Sequence, residues 1–72
     1  MSNAWETTVD DVITVLEKMG ENTSKANEIF NDLDFDTIEE AALYGDEMDE
    51  QIEYAHKEIQ EQVKFHLSLG EK

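Results

Sequence analysis

The stretch that decides the fold runs from Asp36 to Leu69, DTIEEAALYGDEMDEQIEYAHKEIQEQVKFHLSL. Ile38, Ala41, Ala42, Met48, Ile52, Ala55, Ile59 and Val63 hold the phase of one α-helical face through to Leu67 and Leu69. Asp36 with Glu39 three residues on forms a capping-box pattern that opens this helix, and Gly70 closes it. Gly45 is the ambiguous point. It falls on the stripe between Ala42 and Met48, so the phase continues across it, yet Gly45 followed by Asp46 also reads as a C-cap and then an N-cap. An unbroken helix from Thr37 to Leu69 would be about 50 Å long at 1.5 Å per residue, long enough for two shorter helices to lie end to end along it. A break would give a compact four-helix arrangement. The continuous phase favours a long helix that is kinked or locally irregular at Gly45, with Ala41, Ala42 and Gly45 small enough to admit a close neighbour.

Upstream, Trp5, Val9, Val12, Ile13, Leu16 and Met19 share one helical face, which predicts a helix from about Ala4 to Met19. Asn3 can cap it with Glu6 as box partner, and Gly20 is a natural stop. A start at Thr8, with Asp11 as its box partner, is the competing boundary and leaves Trp5 outside the stripe. Gly20 to Ser24 is turn-like, after which Thr23 or Ser24 can cap a second helix with Ala26, Ile29, Phe30 and Leu33 on its apolar face. That helix should end near Leu33. No segment alternates with period two, so no sheet is expected. The predicted fold class is all-α: residues 1–72 form a single acidic helical domain, a small bundle of three to four helices. Its two shorter N-terminal helices pack on a long C-terminal helix kinked near Gly45.

Composition narrows the function. The 72 residues carry 19 Asp and Glu against five Lys, with no Arg, Cys or Pro, for a net charge of −14 and a pI near 4.1. High charge is also a mark of disorder, but three Phe, two Tyr and one Trp, with aliphatic residues at helical spacing, argue for a packed core. A domain this short buries only about 60% of the surface its unfolded chain exposes, which leaves little room for a deep catalytic cleft inside one subunit. An enzyme is not expected, nor is a cofactor. Phosphate would repel the chain, so direct contact with nucleic acid or an anionic membrane is disfavoured. No apolar run approaches the roughly 18 residues of a membrane span, no secretory signal precedes the first helix, and cysteine is absent, which together suggest a cytoplasmic protein.

The charge is concentrated. Between Ala26 and His56 lie Glu28, Asp32, Asp34, Asp36, Glu39, Glu40, Asp46, Glu47, Asp49, Glu50 and Glu53, with no lysine among them. The remainder holds eight acids and five lysines, so eleven of the fourteen net negative charges sit in this central stretch. Solubility alone asks for a net charge of only about 2 to 8 in a small domain, whereas this density costs self-repulsion between acids one helical turn apart. A halophilic surface would explain the excess. Otherwise the eleven carboxylates are the candidate binding residues for a basic partner.

In size, helical pattern and acid block the chain resembles the small phage- or plasmid-encoded acidic DNA mimics of the anti-restriction and anti-CRISPR class. The resemblance covers the whole chain and rests on charge pattern and length, not on a sequence motif, so it carries over no residue roles. It implies a basic nucleic-acid-binding protein as partner, inhibited by carboxylates that occupy the groove meant for the duplex. The alternative is a helical adaptor with no nucleic-acid competitor. Met48, Ile52, Ala55, Ile59, Gln62, His66 and Leu69 follow heptad-like steps, which suit packing against the first helix or, alternatively, a homodimer through the C-terminal helix. Tyr44, Tyr54 and Phe65 at the edge of that stripe are candidate interface anchors.

Three other chemistries fit poorly. Asp32, Asp34 and Asp36 match the first ligand positions of an EF-hand, but Thr37 stands where the turn needs Gly and Leu43 where a closing Glu is needed. Glu53 and His56 form one Glu-x-x-His pair, half of a di-iron set, while Val63 stands three residues before the other histidine, His66; a dimer with Asp49 or Glu50 as further ligands could complete a site. The acidic helical chain is also similar to acyl carrier proteins, but Ser2, Ser24 and Ser68 all lack the Asp-Ser-Leu context of the prosthetic-group serine. Ser2, Asn3 and Ala4 match a remnant of tag removal, so the extreme N-terminus is assigned no function.

Overall fold

Thr8 and Asp11 fix where the first helix begins. In the computed structural model, which describes residues 6–70, the Asp11 carboxylate accepts from the Thr8 backbone N–H at 2.8 Å and from the Thr8 hydroxyl at 3.0 Å. This is the reach-back half of a capping box, and it satisfies a donor that the helix itself leaves orphaned. Helix α1 therefore spans Val9–Met19. Glu6 and Thr7 lie outside it, which corrects the longer helix expected from Ala4; Asn3 and Trp5 fall outside the described residues. At the other end Gly20 takes φ +76°, open to glycine without steric cost. Its N–H donates to the Glu17 carbonyl at 3.1 Å, and that of Glu21 donates to the Leu16 carbonyl at 2.9 Å.

The second helix, α2, is Ala26–Asp32. Neither Thr23 nor Ser24 caps it with a side chain. The Asn22 carboxamide oxygen instead accepts from the Ser24 N–H at 2.7 Å, and the Thr23 backbone carbonyl accepts from Ala26 at 3.1 Å, so Lys25 becomes the N-cap residue. Leu33 is extended and buried beyond the last turn, and Phe30 meets Phe35 across the reversal with ring centroids 5.0 Å apart. That reversal brings the third helix in early. Helix α3 is Phe35–Ala42, capped by Asp34, whose carboxylate accepts from the Thr37 N–H at 3.3 Å and the Thr37 hydroxyl at 2.8 Å. The cap is thus Asp34, not the Asp36 and Glu39 pair.

Gly45 breaks the long helix rather than kinking it. After Ala42 the backbone closes tight turns, with Tyr44 donating to the Ala41 carbonyl at 3.2 Å and Gly45 to the Ala42 carbonyl at 3.0 Å, before α4 runs over Met48–Gly70. The first turn of α4 folds back on this corner: Glu50 accepts from the Asp46 N–H at 2.8 Å, and the Gln51 side chain donates to the Gly45 carbonyl at 3.3 Å. A Cβ on Gly45 would lie 2.6 Å from the Gln51 backbone nitrogen and 2.7 Å from the Glu50 carbonyl carbon. The glycine serves close approach between chain segments. An unbroken stripe of phase cannot distinguish such a corner from a straight helix.

Among the described residues there are four helices and no strand. Helix α4 has 23 residues, about 35 Å at 1.5 Å per residue, and defines the 39 Å long axis. It buries Ala55, Ile59 and Val63 against Val12, Val15 and Leu16 of α1 and Ile38 and Ala42 of α3. Helix α2 packs on α1 through Ala26 and Ile29. Two polar ties set the register of α4. His56 Nε2 lies 2.9 Å from the second oxygen of Asp11, and Gln62 pairs with the backbone of Asp34, accepting from its N–H at 2.7 Å and donating to its carbonyl at 3.3 Å.

Candidate partner-binding surface

The eleven central carboxylates are outward because the same short helices turn their apolar faces inward. Glu28 and Asp32 stand on α2 opposite or beside Ala26 and Ile29; Asp36, Glu39 and Glu40 stand on α3 opposite or beside Ile38 and Ala42; Asp49, Glu50 and Glu53 open α4 ahead of Ala55. Asp34 lies in the α2–α3 reversal, and Asp46 and Glu47 in the α3–α4 corner. All eleven are exposed.

Three of them have local work. Asp34 caps α3, Glu50 closes the start of α4, and Asp32 stands 3.6 Å from His66 Nδ1. The side chains of Glu28, Asp36, Glu39, Glu40, Asp46, Glu47, Asp49 and Glu53 form no hydrogen bond or ion pair with the described residues. The nearby lysines do not neutralise this block: Lys64 sits 3.9 Å from Glu61, and Lys57 lies 5.9 Å above the Tyr54 ring. Asp46, Glu47, Asp49 and Glu50 surround the α4 N-terminus, where the helix dipole favours negative charge and offsets part of their mutual repulsion.

The corner also carries apolar side chains into the acid surface. Leu43, Tyr44 and Met48 are 66%, 79% and 55% exposed, and Tyr44 packs edge-on against Tyr54 with centroids 6.4 Å apart. Tyr44 and Tyr54 are legible as stripe-edge aromatics. The exposure of Met48 is not, because Met48 lies on the continuous stripe and turns outward only when the helix breaks at Gly45; Leu43 falls on the opposite side of that stripe.

The residues singled out for metal do not converge. Asp34 is committed to its cap, and the Glu-x-x-His pair diverges, with Glu53 exposed and His56 directed to Asp11 across the bundle. Among the described residues no cluster of three or more His, Asp or Glu has metal-holding geometry. The heptad-like positions divide in the same way: Ala55 and Ile59 are spent on the chain's own core, Gln62 on Asp34, and Met48 and Leu69 are exposed. No helix among the described residues is long and apolar enough to cross a membrane.

No family model, curated protein or solved structure matches the chain.

Proposed function

We propose that this protein binds a basic nucleic-acid-binding protein and inhibits it, placing carboxylates where the partner would otherwise hold phosphates. The observation that carries this is the block of eleven exposed carboxylates from Glu28 to Glu53, none of them paired with a lysine among the described residues. Acids one turn apart on a helix stand about 5–6 Å from each other, so each of these helices offers closely spaced negative charges to an incoming Lys or Arg. A groove built to neutralise phosphates gains the same attraction from such charges, with fast and salt-sensitive association. A restriction or CRISPR nuclease is the class of target that the likeness to DNA mimics brings, and the cytoplasm would be the place of action. The protein contributes binding and no chemistry of its own.

The exposed Leu43, Tyr44 and Met48 favour a second reading, a helical adaptor whose partner meets apolar anchors at the α3–α4 corner and is indifferent to nucleic acid. One experiment separates the two. The immobilised protein is incubated with lysate of its host cell, and the column is eluted first with duplex DNA and then with salt. Inhibition by mimicry requires a DNA- or RNA-binding protein in the duplex eluate. Capture of proteins that duplex leaves on the column selects the adaptor.

A further inference from the structure

A second surface lies on the far half of α4, where a groove of about 590 Å³ runs between the end of α2, the α2–α3 reversal and the face of α4 from Glu58 to Leu69. Its apolar lining is Ile29, Leu33, Phe65 and Leu69; its polar rim holds the carboxylates of Asp32, Asp34, Glu58 and Glu61 and also His66, with no lysine lining it. Phe65 and Leu69 are 66% and 59% exposed, one turn apart on the same helical face. The chain's own core does not need them there, since Ile59 and Val63 already fill the interior of α4.

We infer that this groove docks an amphipathic basic helix of the partner, whose apolar side chains pack on Phe65 and Leu69 and whose lysines or arginines meet Asp32, Glu58 and Glu61. Charge complementarity selects this occupant: His66 at 3.6 Å from Asp32, Lys64 at 3.9 Å from Glu61 and the Gln62 amide at 3.1 Å from Glu58 leave the rim with a net negative charge. A second copy of this chain would bring its own −14 charge to an acidic rim, and like charges facing one another across an interface are costly. The length fits as well: Glu58 to Leu69 spans about 17 Å of helix, enough to support roughly three turns of a partner helix laid along it. Binding of this kind reads apolar anchors at i, i+4 and i+7 and uses the charged rim for orientation. The inference rests on the proposed basic partner for its biological setting, but the groove can be tested without that partner.

The probe is a fluorescein-labelled synthetic helix of about 14 residues, three turns to match the groove and a short overhang, with leucines at i, i+4 and i+7 and lysines on the flanks. Its control replaces the leucines with serines at the same charge. Fluorescence anisotropy should show the leucine peptide binding at least about tenfold more tightly than the control. Phe65→Ser and Leu69→Ser should each remove most of that difference while circular dichroism remains that of the parent. Because both side chains are exposed, neither variant endangers the fold. Asp32→Asn combined with Glu61→Gln should weaken the leucine peptide and leave its preference over the serine control. Equal binding of the two peptides, or binding indifferent to Phe65→Ser and Leu69→Ser, overturns the inference. So does a concentration-dependent dimer that Phe65→Ser dissolves, which would make a second copy the occupant. The triple variant Glu47→Gln, Glu50→Gln, Glu53→Gln distinguishes this proposal from the mimicry reading: it should sharply reduce duplex-sensitive capture from lysate yet retain the anchor-dependent peptide preference.

Discussion

The two halves of α4 share one helix and do opposite things. From Met48 to Glu53 the helix carries Asp49, Glu50 and Glu53 into solvent, and its one well-packed aliphatic residue, Ile52, is only partly buried. From Ala55 onward it supplies Ala55, Ile59 and Val63 to the interior, holds His56 against Asp11 and Gln62 against the Asp34 backbone, and offers Phe65 and Leu69 to the groove. The difference separates the acid block from the core along one element. The first half tolerates charge because it packs little. The second half packs the chain because few of its inward positions are charged.

Substitutions should break or sharpen that contrast in a graded order. Ile59→Ala removes a fully buried side chain from the second half and should cost about 2–5 kcal/mol, a large share of the stability of so small a domain, read as a lower urea midpoint. Gly45→Ala comes next. Its Cβ meets backbone atoms rather than a movable side chain, so the α3–α4 corner must shift, at a cost of about 1–3 kcal/mol by the same measurement. His56→Ala severs the tie between α4 and the α1 cap and should cost about 1 kcal/mol, and a double-mutant cycle with Asp11→Ala should return a coupling of that order. The smallest structural effect belongs to the first half. Glu47→Gln, Glu50→Gln and Glu53→Gln together should leave the helical spectrum unchanged and move the thermal midpoint little, because relief of repulsion between neighbouring acids is offset by the loss of charge at the α4 N-terminus, where the amide oxygen introduced by Glu50→Gln can still accept from Asp46.

Much of this arrangement is legible in the order of residues. The recurrence of Val12, Leu16, Ile29, Ile38, Ile59 and Val63 at helical spacing identifies the all-α class and most of the core, all six being buried. The acid block is equally plain, since the eleven carboxylates are exposed wherever their helices bury the opposite face. Boundaries are less so. Asp34 and Asp36 both stand before an apolar run and both fit a helix start; the choice falls on Asp34 through Leu33 burial and the bond to Gln62, 28 residues away. Gly45 keeps the helical phase while Gly45 followed by Asp46 also fits a break, and the close approach of Glu50 and Gln51 decides for the corner. The groove is not legible at all from local pattern, because it exists only once Ile29 and Leu33 meet Phe65 and Leu69 in space.

Mimicry is tested most directly by capture of host-cell protein on the immobilised wild type and on the Glu47→Gln, Glu50→Gln, Glu53→Gln variant, each eluted with duplex DNA across a salt series. Mimicry predicts a duplex-eluted nucleic-acid-binding protein whose retention by the wild type falls steeply with salt and whose retention by the variant is sharply reduced. Equal capture by wild type and variant, insensitive to duplex, would contradict it and leave the acid block as a solvated face.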